Sequence, residues 1–265
     1  MWYFVTFVIV GFGASFAGGL FGIGGGIIIM PALFFIFSHM QQESGISPIH
    51  LAMNTSLAII FINSIINVCV QHRAKRINLQ LLFAILPSTL LGVILGSWLS
   101  RILQTSLVTD TAGFVFIFLA FLVYYNTYHD FAEKSAPGKI KLTIAGFLVG
   151  LPAAFLGLGG GSLLVPIFTF LGVGLQQVVG AAAVFSLITS FITLLTAAAI
   201  VMFKTHQLLA PLAMMIDWYV VLSVVPVMYF GITLGSKCLY LLPQQSTKKL
   251  LMLLYFIIGL AMIVL

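Results

Sequence analysis

The sequence predicts an all-α polytopic membrane protein of about 8–10 transmembrane helices, arranged as two inverted five-segment repeats with glycine-broken helical hairpins. Three observations lead there. First, 62% of the 265 residues are hydrophobic and 6% are charged, where a soluble domain carries roughly 25% charged residues. Second, Gly22-Ile23-Gly24-Gly25-Gly26, with Pro31 five residues on, recurs as Gly157-Leu158-Gly159-Gly160-Gly161 with Pro166. The stretches Gly11–Pro31 and Gly146–Pro166 align without a gap, and seven of the 21 positions are identical. Third, the basic residues are one-sided. If each glycine cluster is a hairpin tip, nine of the eleven Lys and Arg fall on one side, leaving Arg101 and Lys204 on the other. Cytoplasmic loops collect such residues. An odd number of segments per half then inverts the halves and puts both termini outside.

Segment 1 runs from about Trp2 to Phe21, and its Trp2-Tyr3 start suits an interfacial belt. No positive region precedes it, so it reads as a retained span rather than a signal peptide. The first glycine break follows, because each glycine inside a helix costs about 1 kcal/mol against alanine. Segment 2, from about Ile27 to Phe37, is short. A loop with Glu43 and Pro48 leads to segment 3, about Leu51–Val70, which ends at His72-Arg73-Ala74-Lys75-Arg76. Segments 4 and 5 cover about Leu79–Leu99 and Leu107–Tyr128. Residues 130–141 form a polar cytoplasmic linker with Pro137-Gly138 and three lysines. It divides a first repeat half, 1–129, from a second, 142–265. Segments 6 and 7 flank the second break. Segment 8 is about Gln177–Phe203, followed by His206 and a stretch with Pro211. Segments 9 and 10 are about Trp218–Lys237 and Leu250–Leu265.

The repeat extends past the glycines. Pro87-x4-Gly92-x3-Gly96-Ser97 matches Pro226-x4-Gly231-x3-Gly235-Ser236, and Asn78 falls opposite Asp217 at the same offset. Both polar residues precede an apolar run, where a side-chain oxygen caps free N–H groups. Asp217 therefore reads as a cap rather than an intramembrane carboxylate. The Gly-x3-Gly pairs of segments 4 and 9 read as close helix packing.

The glycine breaks suggest a binding site. Irregular backbone at membrane depth must be buried in protein or line a wet cavity. Two such breaks at matching places of two halves point to a transporter site. A helix begins at each tip with unpartnered N–H groups and the positive end of its dipole. Gly22, Gly24, Gly25 and Gly26, facing Gly157, Gly159, Gly160 and Gly161, would make an anion cradle without a lysine or arginine. Asn54, Thr55, Ser56 and Ser186 are the candidate side chains to complete an oxyanion's hydrogen bonds. Asn63, Asn67 and Thr189 are further polar residues in the same spans. The alternative for all of these is hydrogen bonding between helices.

Other chemistry lacks parts. The five histidines all read as loop residues, and Cys69 and Cys238 are far apart near segment ends. No metal-ligand spacing, Ser/His/Asp set or pair of inward carboxylates appears, so neither a cofactor nor catalysis is expected. The charge of +6 lies in short loops and does not indicate nucleic acid. The expected partners are the lipid bilayer and a small anion. A coupling ion, H+ or Na+, and a homodimer through segments 5 and 10 are left open.

With Gly11-Phe12 through the glycine cluster to Pro31, its repeat, Asn54-Thr55-Ser56-Leu57, and Ile216-Asp217-Trp218 leading into Pro226-x4-Gly231-x3-Gly235, the sequence resembles the TauE/SafE (sulfite exporter) family of membrane permeases. The likeness covers nearly the whole chain. The second half departs where Phe185-Ser186-Leu187 replaces the usual Thr-Ser-Leu. The resemblance implies secondary transport, as an exporter, of a small anionic sulfur compound such as sulfite, thiosulfate or an organosulfonate across a bacterial-type cell inner membrane. An anion channel, or a membrane subunit delivering such an anion to a partner enzyme, is the alternative.

Overall fold

A computed structural model of the chain describes residues 2–39, 47–103, 105–128, 138–205 and 215–264. Among them are ten helices and no strand: α1 (Trp2–Phe21), α2 (Gly26–His39), α3 (Pro48–Arg73), α4 (Leu79–Ile102), α5 (Thr105–Tyr128), α6 (Lys139–Phe155), α7 (Gly161–Phe170), α8 (Leu175–Thr205), α9 (Trp218–Leu241) and α10 (Gln244–Val264). Seven are long and apolar enough to cross a membrane; α2, α6 and α7 are shorter. Glu43, His129, His206, Pro211 and the linker before Gly138 lie outside the described residues, as do the side chains of Trp2 and Tyr3.

Local chemistry sets the helix starts. The Asn78 side chain accepts from the Leu81 N–H at 3.2 Å, and the Asp217 side chain accepts from the Val220 N–H at 3.2 Å. Both are N-caps, as their alignment across the repeat implies. Two expectations need correction. α10 begins at Gln244, six residues before Leu250, because the Pro243 carbonyl takes the Thr247 N–H at 3.1 Å and starts the helix within the polar stretch. His39, His50 and His72 lie in terminal turns of α2 and α3 rather than in loops.

The packing maps onto itself when α1–α5 are exchanged in order for α6–α10. α1 packs on α9 as α6 packs on α4, α3 touches α9 as α8 touches α4, and α2 lies on α3 as α7 lies on α8. The pairs α3–α8 and α5–α10 each map onto themselves. Of the first five helices, α1, α3, α4 and α5 thus find their largest partner among the last five, and α2 finds its own in α3.

Glycines make those cross-pairs close. A Cβ at Gly92 would stand 2.8 Å from the Phe147 carbonyl oxygen, and one at Gly96 would overlap the Leu151 carbonyl. Gly231 and Gly235 stand against Phe12 and Phe16 in the same way. Helix backbones in contact this way gain dispersion along their whole length, the usual cement where lipid removes the hydrophobic drive. The outer faces carry large apolar side chains, among them Phe83, Phe114, Phe118 and Phe230.

Candidate functional site where the two glycine breaks meet

The α1–α2 and α6–α7 connections are the two glycine clusters, called here the first and second tips. α2 and α7, with 14 and 10 residues, reach about 21 and 15 Å, short of a hydrocarbon core of about 30 Å. The tips meet beside Ile60, whose side chain touches the space beside Gly24, Gly26 and Gly159. Ile60 stands halfway along α3. The irregular backbone therefore sits at mid-length of a spanning helix, and every residue of Leu20–Ile27 and Ala153–Pro166 is buried. The tips also touch each other. A Cβ at Gly26 would overlap the Leu158 carbonyl, and one at Gly161 would lie 3.0 Å from the Gly22 carbonyl oxygen. Only glycine permits this approach.

At the first tip three residues are left-handed: Gly22 at φ 73°, Gly24 at 67° and Gly25 at 80°. Amides from α3 hold its carbonyls. Asn63 Nδ2 donates to the Gly24 carbonyl at 2.8 Å, and Asn67 Nδ2 donates to the Gly18 carbonyl at 3.2 Å. The series continues down one face of α3, since residues four apart are stacked on a helix. Gln71 Nε2 donates to Asn67 Oδ1 at 3.3 Å, and Arg76 Nη1 to Gln71 Oε1 at 3.5 Å. Asn63, Asn67 and Gln71 are fully buried. Among the described residues, no carbonyl or side chain accepts from the N–H groups of Gly24, Gly25 or Gly26. These groups open α2, at the positive end of its dipole.

The second tip is closed differently. α6 ends with the Leu158 N–H on the Ala153 carbonyl at 2.9 Å and the Gly157 N–H on the Ala154 carbonyl at 3.3 Å, a Schellman arrangement. Gly157 and Gly159 are left-handed at 65° and 70°, but Gly160 is in the right-handed region at φ −64°, ψ −24°. Hydroxyls of α8 accept its N–H groups: Gly160 donates to Thr189 Oγ1 at 2.7 Å and Gly161 to Ser186 Oγ at 3.0 Å. From α3, Ser56 Oγ lies 2.9 Å from the Gly157 carbonyl. Tyr255 of α10 donates its hydroxyl to the Ser162 carbonyl, anchoring α7.

The structure thus brings the eight cluster glycines, Ser56 and Ser186 together. Asn54 and Thr55 turn elsewhere. Asn54 Oδ1 accepts from Arg101 Nη2 at 3.3 Å, near the end of α4. Thr55 Oγ1 accepts from the Asp217 N–H at 3.0 Å, at the start of α9. The sequence reading named Asn63 and Asn67 but not Gln71, and the spacing of four that stacks the three along one face of α3, with Gln71 bonded to Asn67, was its available signal. No group of three His, Cys, Asp or Glu suited to a metal occurs among the described residues.

The sulfite exporter TauE/SafE family matches residues 7–262 of the chain. The chain belongs to this family. Its relatives in the TauE/SafE comparison are named as probable membrane transporter proteins. One from Haemophilus influenzae is 28% identical over 66% of each chain. One from Methanocaldococcus jannaschii is 31% identical over 60% of this chain and 59% of its own length. A third, YunE of Bacillus subtilis, is 25% identical over 96% of this chain and 94% of its own. The match therefore spans just under two thirds of the first two and nearly all of the third. No solved structure matches. Seven membrane-length helices in a TauE/SafE chain make it a multi-pass membrane protein.

Proposed function

We propose that this TauE/SafE protein is a secondary transporter of a small oxyanion, exporting a sulfur compound such as sulfite, thiosulfate or an organosulfonate. The observation that carries the reading is the first tip. It presents three N–H groups with no acceptor at the positive end of α2, buried at mid-length of a spanning helix. Such a site suits negative charge without a charged side chain, and a small anion can be released from it more easily than from a paired arginine. The N–H groups of Gly160 and Gly161 already have acceptors, so in this conformation the second tip offers fewer donors, the Gly159 N–H alone of the matching three having no acceptor among the described residues.

The self-mapping helix pairs support an inverted repeat. Alternating access then follows from movement of the two hairpins against the α3–α8 pair. The Lys75–Arg76 end of α3 is the cytoplasmic end by its basic residues, and both termini lie outside.

Flux of labelled sulfite into vesicles holding the purified protein tests this. Saturable uptake, competed by thiosulfate or an organosulfonate, is the expected result. Inserted, folded protein that moves none of these overturns the sulfur assignment, and conductance without saturation would mark a channel instead.

A further inference from the structure

One polar atom at the first tip has no part in the reading so far. The Asn63 amide is fully buried, and its orientation is fixed: Nδ2 donates to the Gly24 carbonyl at 2.8 Å. Turned over, the amide would set oxygen against oxygen. Oδ1 therefore points away from that carbonyl, and it is buried with no hydrogen-bond partner. A buried acceptor without a donor is costly, so the site is incomplete until something gives Oδ1 a proton or a positive charge. The same amide borders the first tip, its Nδ2 standing 3.2 Å from where a Cβ of Gly25 would lie, and among the described residues the N–H groups of Gly24, Gly25 and Gly26 have no acceptor.

The far end of the amide series shows which occupant is favoured. There, Lys75, Arg76, Asn78, Gln80, Gln176 and Gln177 line a cavity of about 480 Å³. Among the described residues its lining has two cationic side chains and no acidic one, a field that concentrates anions and repels cations. Lys75 holds its place at φ 55°, a helix-end conformation that glycine ordinarily takes. A lysine there accepts backbone strain and keeps its charge in the cavity. A ligand gathered by that field is an anion, and one that satisfies Asn63 Oδ1 carries an O–H.

We propose that the first tip takes its oxyanion as the singly protonated monoanion, with Asn63 Oδ1 accepting the ligand's O–H and the Gly24–Gly26 N–H groups facing its charged oxygens. This rests on the transporter reading and deepens it. With hydrogen sulfite as the ligand one proton travels on each anion, so no carboxylate or histidine is needed as a carrier within the spans; an organosulfonate, which has no O–H, is then the poorer substrate. The helices packed on α3 bear this out. α1 has no charged residue, and the charged residues of the others stand near their ends: His39 on α2, Lys204 on α8 and Lys237 on α9, with Asp217 as the α9 cap and Arg101, in the last turn of α4, on Asn54. On α3 itself, His50, His72 and Arg73 are terminal. The pH dependence of flux then comes from the substrate's own ionisation, and flux falls as pH rises and hydrogen sulfite becomes sulfite.

The test uses the full chain in liposomes, with labelled sulfite at fixed total concentration over a pH series spanning that ionisation. Methanesulfonate, a monoanion without an O–H, runs in parallel. Sulfite rates should fall on one curve against hydrogen sulfite concentration. In Asn63→Leu the hydrogen sulfite-to-methanesulfonate flux ratio should drop about tenfold or more, the loss of one hydrogen bond to a charged ligand. Asn63→Ser, which keeps a smaller acceptor, should give an intermediate ratio and serves if the leucine variant does not insert. Rates that follow the sulfite dianion or total sulfite overturn the proposal, as do Asn63 variants that slow both substrates equally. Absence of both sulfite and methanesulfonate flux in the unaltered, inserted protein removes the sulfur-transporter reading on which this rests.

Discussion

The two tips have nearly the same five-residue spelling and lie against each other, yet they are finished in opposite ways. At the second, hydroxyls of α8 accept N–H groups and a Schellman closure uses the carbonyls of α6. At the first, amides of α3 donate to the carbonyls of Gly18 and Gly24, and the N–H groups at the start of α2 stay open. The glycines allow the same sharp backbone path twice. What the path offers a ligand is decided by the neighbouring long helix: a hydroxyl can accept, while an amide held by its own nitrogen donates. Matching helix pairs thereby hold two differently finished tips.

The sharpest way to break this comparison is to add one methyl group at equivalent positions. Gly25 sits at φ 80°, and a Cβ there would stand 2.7 Å from the Ala14 carbonyl oxygen. Both the dihedral and a backbone atom oppose it. Gly25→Ala should reduce flux about 10- to 100-fold, the equivalent of roughly 1–3 kcal/mol of backbone strain at the site. Gly160 is already right-handed, and its Cβ would meet side-chain atoms of Phe185 and Thr189 at 2.8 Å. Those atoms can shift, so Gly160→Ala should cost mainly stability, about 1–3 kcal/mol of overpacking, with flux reduced only a few-fold. Vesicle flux beside thermal unfolding in detergent separates the two. Equal flux losses would mean that the tips share the ligand.

Much of this was legible in the sequence because it follows from local or periodic features. The ten helices come from apolar run length, the tips from clustered glycine, and the Asn78 and Asp217 caps from an oxygen-bearing residue placed ahead of an apolar run. The close pairs of Gly92, Gly96, Gly231 and Gly235 follow from spacing alone. The polarity of each tip was not legible. Whether Ser186 and Thr189 face an anion or the backbone N–H groups of Gly161 and Gly160 depends on how α8 is rotated about its axis. The start of α10 was missed because polar Gln244–Lys249 reads as loop, although an α-helix that leaves the apolar layer continues readily into water.

A smaller effect belongs to the hydroxyls of the second tip. Thr189→Val or Ser186→Ala leaves a buried N–H of Gly160 or Gly161 without its acceptor. Each should lower stability by about 1–3 kcal/mol, visible as a reduced Tm in detergent. Sulfite affinity should change less than in an Asn63 variant. If a variant instead gained sulfite affinity, the freed N–H groups would be acting as anion donors, and the two tips would differ only by what blocks them.

The smallest effects should come from the caps, where the halves are alike. Asn78 and Asp217 each accept one N–H of the following helix at 3.2 Å. Asp217→Ala should cost about 1 kcal/mol, as a lost N-cap does, whereas Asp217→Asn keeps the accepting oxygen and should stay within a few tenths. The asparagine variant also tests the carboxylate itself. It cannot take up or release a proton, so a carrier role would appear as flux that loses its pH response. A cap role leaves flux and its pH profile as they were. The matching residue in the first half is already an asparagine in the same position with the same bond, and a proton carrier would have no reason to share its geometry with a group that does not titrate.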